Sequence, residues 1–381
     1  MGIRIYTGIG LRPVSGMTVV PILSRTPRTP HRSRTAARTD SGWRIGGIAP
    51  QAAMLGKDMT GTVWWIKKQI DKRLRLLFSE YLNDELENLL PLNLHYQRYV
   101  ESTPDDRQSQ YDHTLDPAAH LPLFSSLKDR LIQAGIPVEE MRVDPADFDA
   151  WRRSVPGLDR FYQSFGDMHI EKCLEHYLVD KLLDLKAGDR YIDIASAGSP
   201  WASALRQRQI ESYRLDLIYP DGVHGMEIGA NATATGLPDG FATALSTQCA
   251  FELFHGETDL LFLHEAARVL APDGRLAVLP IYLDDAYFLL QSPYALPPPE
   301  TDEPDATVVW RDDHFRAPYS RHYSPEAFAR AIHSRLTAEL DARVYFVSNL
   351  GELMREHPNQ RIYCFYVMQA TKRADQPQAT E

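Results

Sequence analysis

Long hydrophobic runs and clustered cysteines are both lacking in this sequence of 381 residues. No stretch approaches the ~18 consecutive apolar residues of a membrane-spanning helix, so a spanning helix is not expected. The three cysteines, Cys173, Cys249 and Cys364, lie far apart, which argues against a disulfide framework and against a cysteine-rich zinc site. This cysteine usage suits a reducing compartment, and we expect a cytoplasmic protein.

Acidic residues are almost absent from the first 50 positions, which carry eight Arg and one acid, Asp40. The net charge of this segment is about +7, which leaves about −17 for the remainder because the total is −10. An acidic body argues against a nucleic-acid partner, since such proteins usually carry a basic surface. Residues 1–58 are interpreted as a transit-like or disordered arm, or as a non-native extension upstream of the true start. Met54 and Met59 slightly favour the extension.

An amphipathic helix is predicted over residues 60–90, where apolar residues recur at helical spacing. Its first half is basic, and Trp64 and Trp65 lie near its start. Trp with Lys and Arg is typical of a helix on a membrane surface. The alternative, which we favour, is packing on its own domain or on a partner subunit, for example in a homodimer. The rest of 59–165 is predicted to be helical, with a polar, turn-rich linker near 101–122.

Strands and helices alternate over residues 166–372. Segments such as RYIDIA, SYRLDLIY and RLAVLPIYL read as strands and are separated by helical or turn segments. This pattern predicts an α/β domain with a doubly wound, seven-stranded, mostly parallel sheet. About a dozen residues join the last two strands, which is short for a helical crossover, so this pair is predicted to be antiparallel. Residues 373–381 are expected to be a disordered tail.

Small and acidic residues follow the carboxyl ends of the first two predicted strands, the edge where open α/β sheets bind ligands. After the first strand come Asp193 and the loop IASAGSP, whose slim side chains let the backbone approach a ligand. Asp216 follows the second strand, where a carboxylate can accept both hydroxyl groups of a ribose.

Polar residues also flank the predicted fourth strand, which is the segment GFATALSTQCA. Asn231 and Ala232 precede it at an edge suited to an adenine, whereas Glu252 and His255 follow it. Glu252 and His255 are expected to face the same crevice as the loop after Asp193.

The span from about residue 171 to 280 resembles the class I (Rossmann-like) S-adenosylmethionine-dependent methyltransferases. The segment HEAARVLAPDGRLAVLP is similar to the family's E-x-x-R-V-L-K-P-G-G-x-L, and is the most specific match. The loop of Asp, small residues and Ser-Pro resembles an uncharacterised bacterial branch of these enzymes. The resemblance implies S-adenosylmethionine as the cofactor, with contacts from Asp193, Ala195, Ser196, Ala197, Gly198, Asp216, Asn231, Ala232 and Cys249.

Most glycines of the family's D-x-G-x-G-x-G loop are missing here. Ala195, Ala197 and Ser199 occupy their positions, and Gly198 is out of phase. Asn231 stands where an acid often contacts the adenine amino group, although its carbonyl can still accept that bond. These departures leave open an alternative, a catalytically weak or inactive protein of the same fold that acts as a binding partner. The G-x-G-x-x-G of nicotinamide-dependent enzymes is absent as well.

Methyl transfer from a sulfonium mainly requires an aligned acceptor, and a hydroxyl acceptor benefits from a general base. Glu252 and His255 are the predicted catalytic residues. The N/D-P-P-Y signature of many amino-group methyltransferases is missing after the fourth strand, which favours an oxygen acceptor. The spacing from His255 to His264 is not a recognised metal pattern, so no metal is assigned.

The long segment 284–323 is rich in aromatic residues, Arg and His, a composition that could grip a sugar or an anionic group. We predict a lid over a small-molecule or saccharide acceptor; the alternative is a cover strand packed on the sheet edge. The predicted substrate contacts are Trp310, His314, Arg316, Tyr319 and Arg321.

Overall fold

The computed structural model describes residues 94–196, 198–295, 303, 305–311 and 319–374. The predictions for residues 1–58, for the helix over 60–90 and for most of the tail fall outside these ranges. Within them, none of the helices is both long enough and apolar enough to cross a membrane.

Nine α-helices and eleven strands occur in the described part of the chain. The helices are α1 (Leu94–Glu101), α2 (Leu121–Gln133), α3 (Pro145–Ser154), α4 (Leu158–Tyr162), α5 (His169–Leu182), α6 (Trp201–Gln207), α7 (Thr258–Val269), α8 (Pro325–Ala331) and α9 (Leu350–Glu356). The strands are β1 (Val138–Met141), β2 (Arg190–Ile194), β3 (Glu211–His224), β4 (Glu227–Gly229), β5 (Ala242–Gln248), β6 (Leu270–Leu279), β7 (Phe288–Gln291), β8 (Thr307–Trp310), β9 (Tyr319–His322), β10 (Leu340–Val347) and β11 (Tyr366–Lys372).

The large sheet has the strand order β1-β10-β11-β6-β5-β2-β3-β4. β2 pairs in parallel with β3 and β5, and β5 pairs in parallel with β6, whereas β11 runs antiparallel to both β6 and β10. The predicted mostly parallel α/β sheet with an antiparallel C-terminal pair is confirmed. An eighth strand, β1, extends the seven predicted strands by pairing in parallel with β10. Its sequence VEEM is partly exposed at the sheet edge and lacks an alternating apolar pattern.

Residues 94–165 contribute to the core of the sheet domain. Phe124 and Leu131 of α2 and Phe148 of α3 are buried in the same hydrophobic cluster as Tyr191 of β2 and Leu245 of β5. The boundary predicted at residue 166 therefore does not divide two cores.

The stretch predicted as a linker near 101–122 is folded into the protein. It carries three short 3-10 helices, at Pro104–Asp106, Gln108–Gln110 and His113–Leu115. Asp112 is buried there, and its carboxylate accepts hydrogen bonds from Thr114 N at 3.0 Å and from Gln108 Nε2 at 2.7 Å. The polar composition that indicated a linker thus belongs to an internal hydrogen-bond network.

The described part of 284–323 forms a second sheet of order β8-β7-β9. β7 pairs in parallel with β8 and antiparallel with β9, and Phe288, Leu290 and Val309 form a small core of their own. This packed sheet is closer to the cover-strand alternative than to a loop-like lid.

Candidate functional site

A cavity of about 230 Å³ lies at the carboxyl ends of β2 and β5. Its walls come from the loop after β2, the turn after β5, α5 and the helices before it, the 3-10 segment near residue 110, and β7 and β9. The lining includes Gln108, Asp112, Phe161, Tyr162, Phe165, Met168, Lys172, Glu175, His176, Asp193, Ala195, Ser196, Gly198, Gln248, Cys249, Glu252, Leu253, Tyr282, Arg311, Ser320, His322 and Tyr363.

The predicted Asp193 is the penultimate residue of β2 and lies on the cavity wall. Its carboxyl is fully buried, and Oδ2 has no hydrogen-bond partner among the described residues. Burial raises the pKa of Asp193 to about 7. Ser196 Oγ donates to the Asp193 backbone carbonyl at 3.0 Å, which closes the loop.

Ala195 has a φ of 58°, in the left-handed region that favours glycine. The chain therefore keeps the backbone turn that a glycine would provide, with a methyl group added. Gly198 also lines the cavity, whereas Ala197 lies outside the described residues.

Three other predicted cofactor residues do not line the cavity. Asp216 is buried on β3, and its Oδ1 accepts a hydrogen bond from Ile218 N at 3.1 Å. Asn231 Oδ1 accepts bonds from Thr233 N and Oγ1, each at 3.0 Å, so this amide oxygen serves its own turn. Ala232 is buried beside it. The structure gathers the loop and Cys249 at the cavity and leaves the predicted ribose and adenine contacts outside it.

Lys172 of α5, which the sequence analysis missed, stands in a buried polar cluster with the predicted Cys249. Its Nζ lies 2.5 Å from Cys249 Sγ, 2.9 Å from Glu175 Oε1 and 3.3 Å from Tyr363 Oη. Burial, reinforced by the charge of Glu175, raises the pKa of the Cys249 thiol. Met168, Lys172 and Glu175 recur at helical spacing on a buried face, and charged residues on such a face were the available signal.

Of the two predicted catalytic residues, Glu252 is on the cavity wall. It is buried, and its Oε2 lacks a hydrogen-bond partner within the described ranges. Burial raises the pKa of Glu252 to about 7, which suits a group that exchanges a proton near neutral pH. His255 is not brought to the cavity. It lies past the 3-10 turn Phe251–Leu253, and its ring is 5.0 Å from that of Tyr319.

Two of the predicted substrate contacts, Tyr319 and Arg321, are not on the cavity wall, because strand residues alternate in direction. On β9, Tyr319 and Arg321 are buried away from it. Tyr319 Oη donates to Glu303 Oε1 at 2.7 Å, and Arg321 pairs with Asp259 and Glu303. Their neighbours Ser320 and His322 line the cavity instead.

Trp310, the third predicted substrate contact that the structure describes, also lies away from the cavity. The Trp310 ring is 4.8 Å from that of His95 and 5.8 Å from that of Tyr99, away from the wall. His314 and Arg316 fall outside the described residues.

The strand order identifies the fold. From one edge the large sheet runs β4-β3-β2-β5-β6-β11-β10, with β11 antiparallel between β6 and β10 and the cavity at the carboxyl ends of the central parallel strands. The chain has the class I methyltransferase fold. No family model matches the sequence, and no curated protein matches it either.

Solved structures are similar to the chain only at a coarse level. A geranyl diphosphate C-methyltransferase from Streptomyces coelicolor is 13% identical, with 58% of this chain and 87% of that one covered and a TM-score of 0.35. The cyclase SpnF is 15% identical over 54% and 84%, with a TM-score of 0.34. A 1,6-didemethyltoxoflavin-N1-methyltransferase from Burkholderia thailandensis is 12% identical over 63% and 94%, with a TM-score of 0.33. The assignment of the fold therefore rests on the strand order.

Proposed function

We propose that the protein is an S-adenosylmethionine-dependent methyltransferase that acts on a small molecule or a glycan at an oxygen acceptor. One observation carries this proposal. Asp193 and Glu252 each have a buried carboxyl oxygen without a hydrogen-bond partner among the described residues. Both side chains line a single cavity, near the carboxyl ends of the neighbouring strands β2 and β5. One carboxyl stands at the predicted cofactor loop, and the other follows β5, on the predicted acceptor side.

The loop after β2 fits the methionine end of the cofactor. When bound, S-adenosylmethionine supplies an activated methyl group on a sulfonium. Asp193 Oδ2 is a buried acceptor that the cofactor's ammonium group would satisfy, and Ala195 keeps the left-handed turn of the loop. An ionised Asp193 beside an ammonium group would be stabilised by opposite charge.

Glu252 serves as the proton acceptor of the proposed reaction. A carboxyl with a pKa of about 7 is partly ionised at neutral pH and can take the proton of an acceptor hydroxyl. Phe161, Phe165, Met168 and Leu253 provide apolar surface on the same walls.

Calorimetry on the full chain with S-adenosylmethionine and its demethylated product tests the proposal. We expect both to bind, and Asp193→Asn to weaken binding at least about tenfold, as expected when a charged partner is lost (~1.4 kcal/mol or more). Asp341→Asn is the control, since Asp341 lies on β10 away from the cavity with its side chain 58% exposed. With an acceptor in hand, Glu252→Gln should slow methyl transfer by about 10²-fold or more without weakening cofactor binding.

A second candidate function is a binding protein of the same fold without methyl transfer. It is favoured by Ala195, whose methyl group narrows the loop, and by Asn231, whose amide oxygen is already hydrogen-bonded. Failure of the full chain to bind either form of the cofactor would contradict the first proposal and leave this one.

A further inference from the structure

Three residues far apart in sequence bring metal-ligating atoms together beside the cavity. Asp112, Asp284 and His322 each offer one atom, and these atoms lie within 4.8 Å of one another. All three side chains are buried, and Asp112 and His322 line the cavity. We propose that these residues bind one divalent transition-metal ion on the cavity wall.

The imidazole of His322 is firmly held, yet it has an unsatisfied nitrogen. Phe288 stacks on the ring with centroids 4.5 Å apart, and the Tyr282 ring lies 4.8 Å away. Nδ1 is buried and has no hydrogen-bond partner in the part of the chain that the structure describes. Asp112 Oδ1 is 3.8 Å from it, too far for a hydrogen bond. A metal ion bound to Nδ1 would satisfy the buried nitrogen, which otherwise carries a desolvation penalty.

The two carboxylates are oriented by other hydrogen bonds. Asp112 accepts from Thr114 N, Thr114 Oγ1 and Gln108 Nε2. Asp284 accepts from His113 N at 3.1 Å, from Asp285 N at 2.8 Å and from His113 Nδ1 at 2.5 Å. In each carboxylate Oδ1 accepts two of these bonds and Oδ2 accepts one, so Oδ2 of Asp112 and Oδ2 of Asp284 each retain a lone pair for a metal. Such outer hydrogen bonds fix metal ligands in place.

The donor set indicates the class of ion. Two carboxylates and one imidazole suit Mn²⁺, Fe²⁺, Co²⁺ or Zn²⁺ better than Ca²⁺ or Mg²⁺, which take oxygen ligands. Arg311 contributes positive charge near Asp112, so we expect weaker binding than in a site without a neighbouring cation. Metal binding at this site does not depend on methyl transfer. If the proposed function holds, the ion would also polarise the acceptor hydroxyl.

Titration of the full chain with Mn²⁺, after chelation and dialysis, tests the proposal. The electron paramagnetic resonance signal of free Mn²⁺ disappears on binding, and Co²⁺ absorption provides a second readout. We expect one equivalent bound to the wild type, and affinity lowered at least about tenfold in His322→Phe and Asp112→Asn. His264→Asn is the matched control, because His264 is exposed on α7 and does not line the cavity.

Two results would overturn the proposal: no uptake of Mn²⁺ or Co²⁺ by the wild type, or equal uptake by the wild type and both variants. Asp112→Asn disturbs a buried network, so circular dichroism must show that it folds. His322→Phe keeps the stacking on Phe288 and decides the question if the other variant does not fold. Calorimetry with S-adenosylmethionine on the same samples separates this outcome from failure of the proposed methyltransferase function.

Discussion

Glu252 illustrates how burial sets the chemistry of a single side chain. Its pKa is raised from an ordinary 4.5 to about 7 by burial, although the charge of Lys172 partly offsets this. Because the pKa is higher in the folded protein than in the unfolded chain, the folded protein binds the proton more tightly. Ionisation of Glu252 therefore destabilises the fold as the pH rises from about 4.5 through 7.

Glu252→Gln should consequently stabilise the protein at alkaline pH. We expect the free energy of unfolding at pH 8 to exceed that of the wild type by about 1–3 kcal/mol, and the gain to vanish below pH 4.5. Urea denaturation at a series of pH values measures it. Glu257→Gln is the control, since Glu257 is exposed and forms a surface ion pair with Arg335. An equal gain at every pH would contradict the assigned cause.

Asp193 leads to a prediction about the pH dependence of cofactor binding. Burial raises its pKa to about 7, and its neighbours include the charged Arg214 and Asp216. In the proposed function the ammonium group of the cofactor binds the ionised carboxylate, so the affinity for S-adenosylmethionine should rise as the pH increases through about 7. Calorimetry in buffers of different ionisation enthalpy should detect proton release at pH 6. Asp193→Asn should remove both effects, and their persistence in that variant would assign them to another group.

At the scale of elements, the buried Arg321 joins β9 to the start of α7. It pairs with Asp259 and Glu303, and its side chain is 3% exposed. Arg321→Met would leave Asp259 buried without this counter-ion, and we expect a loss of about 3–5 kcal/mol in the free energy of unfolding. Arg330→Met, which breaks an exposed pair with Asp305, should change it by less than about 1 kcal/mol. Similar small losses in both variants would show that burial does not govern the Arg321 pair.

The sequence predicted the main elements better than the directions of their side chains. Alternating strand and helix signals placed β2, β5 and β6. The carboxyl end of a parallel strand lies at the ligand-binding edge, so the position of Asp193 near the end of β2 could be anticipated. On β9, composition alone selected the conspicuous Tyr319 and Arg321. Which face of β9 meets the cavity depends on the pairing of β9 with β7, which the local sequence does not specify. The same limit hid β1, whose pairing with β10 spans about two hundred positions.

At the scale of the whole molecule, the helices α2 and α6 and the central sheet share one hydrophobic cluster. Leu131 of α2 and Leu205 of α6 both belong to it. Leu131→Ala and Leu205→Ala should each lower the free energy of unfolding by about 2–5 kcal/mol. Both should shift the same transition, because one core unfolds cooperatively. Denaturation monitored by far-ultraviolet circular dichroism measures the free energy of unfolding and shows whether there is a single transition.

Leu261→Ala serves as the comparison, since Leu261 is 48% exposed and its loss should matter little. A separate early transition that appears only in Leu131→Ala would instead mean that residues 94–165 unfold as an independent domain.

The 3-10 segment 104–115 and the segment 284–322 are joined at several points. Arg107 forms a parallel bridge with Trp310, His113 bonds to Asp284, and His322 lies opposite Asp112. In sequence, 171 positions separate His113 from Asp284. If only one of these segments were replaced by that of a related chain, Asp112 and Asp284 would lose their partners in the other segment. The two segments would have to be transplanted together, so the part of the cavity wall that they form behaves as a single structural unit.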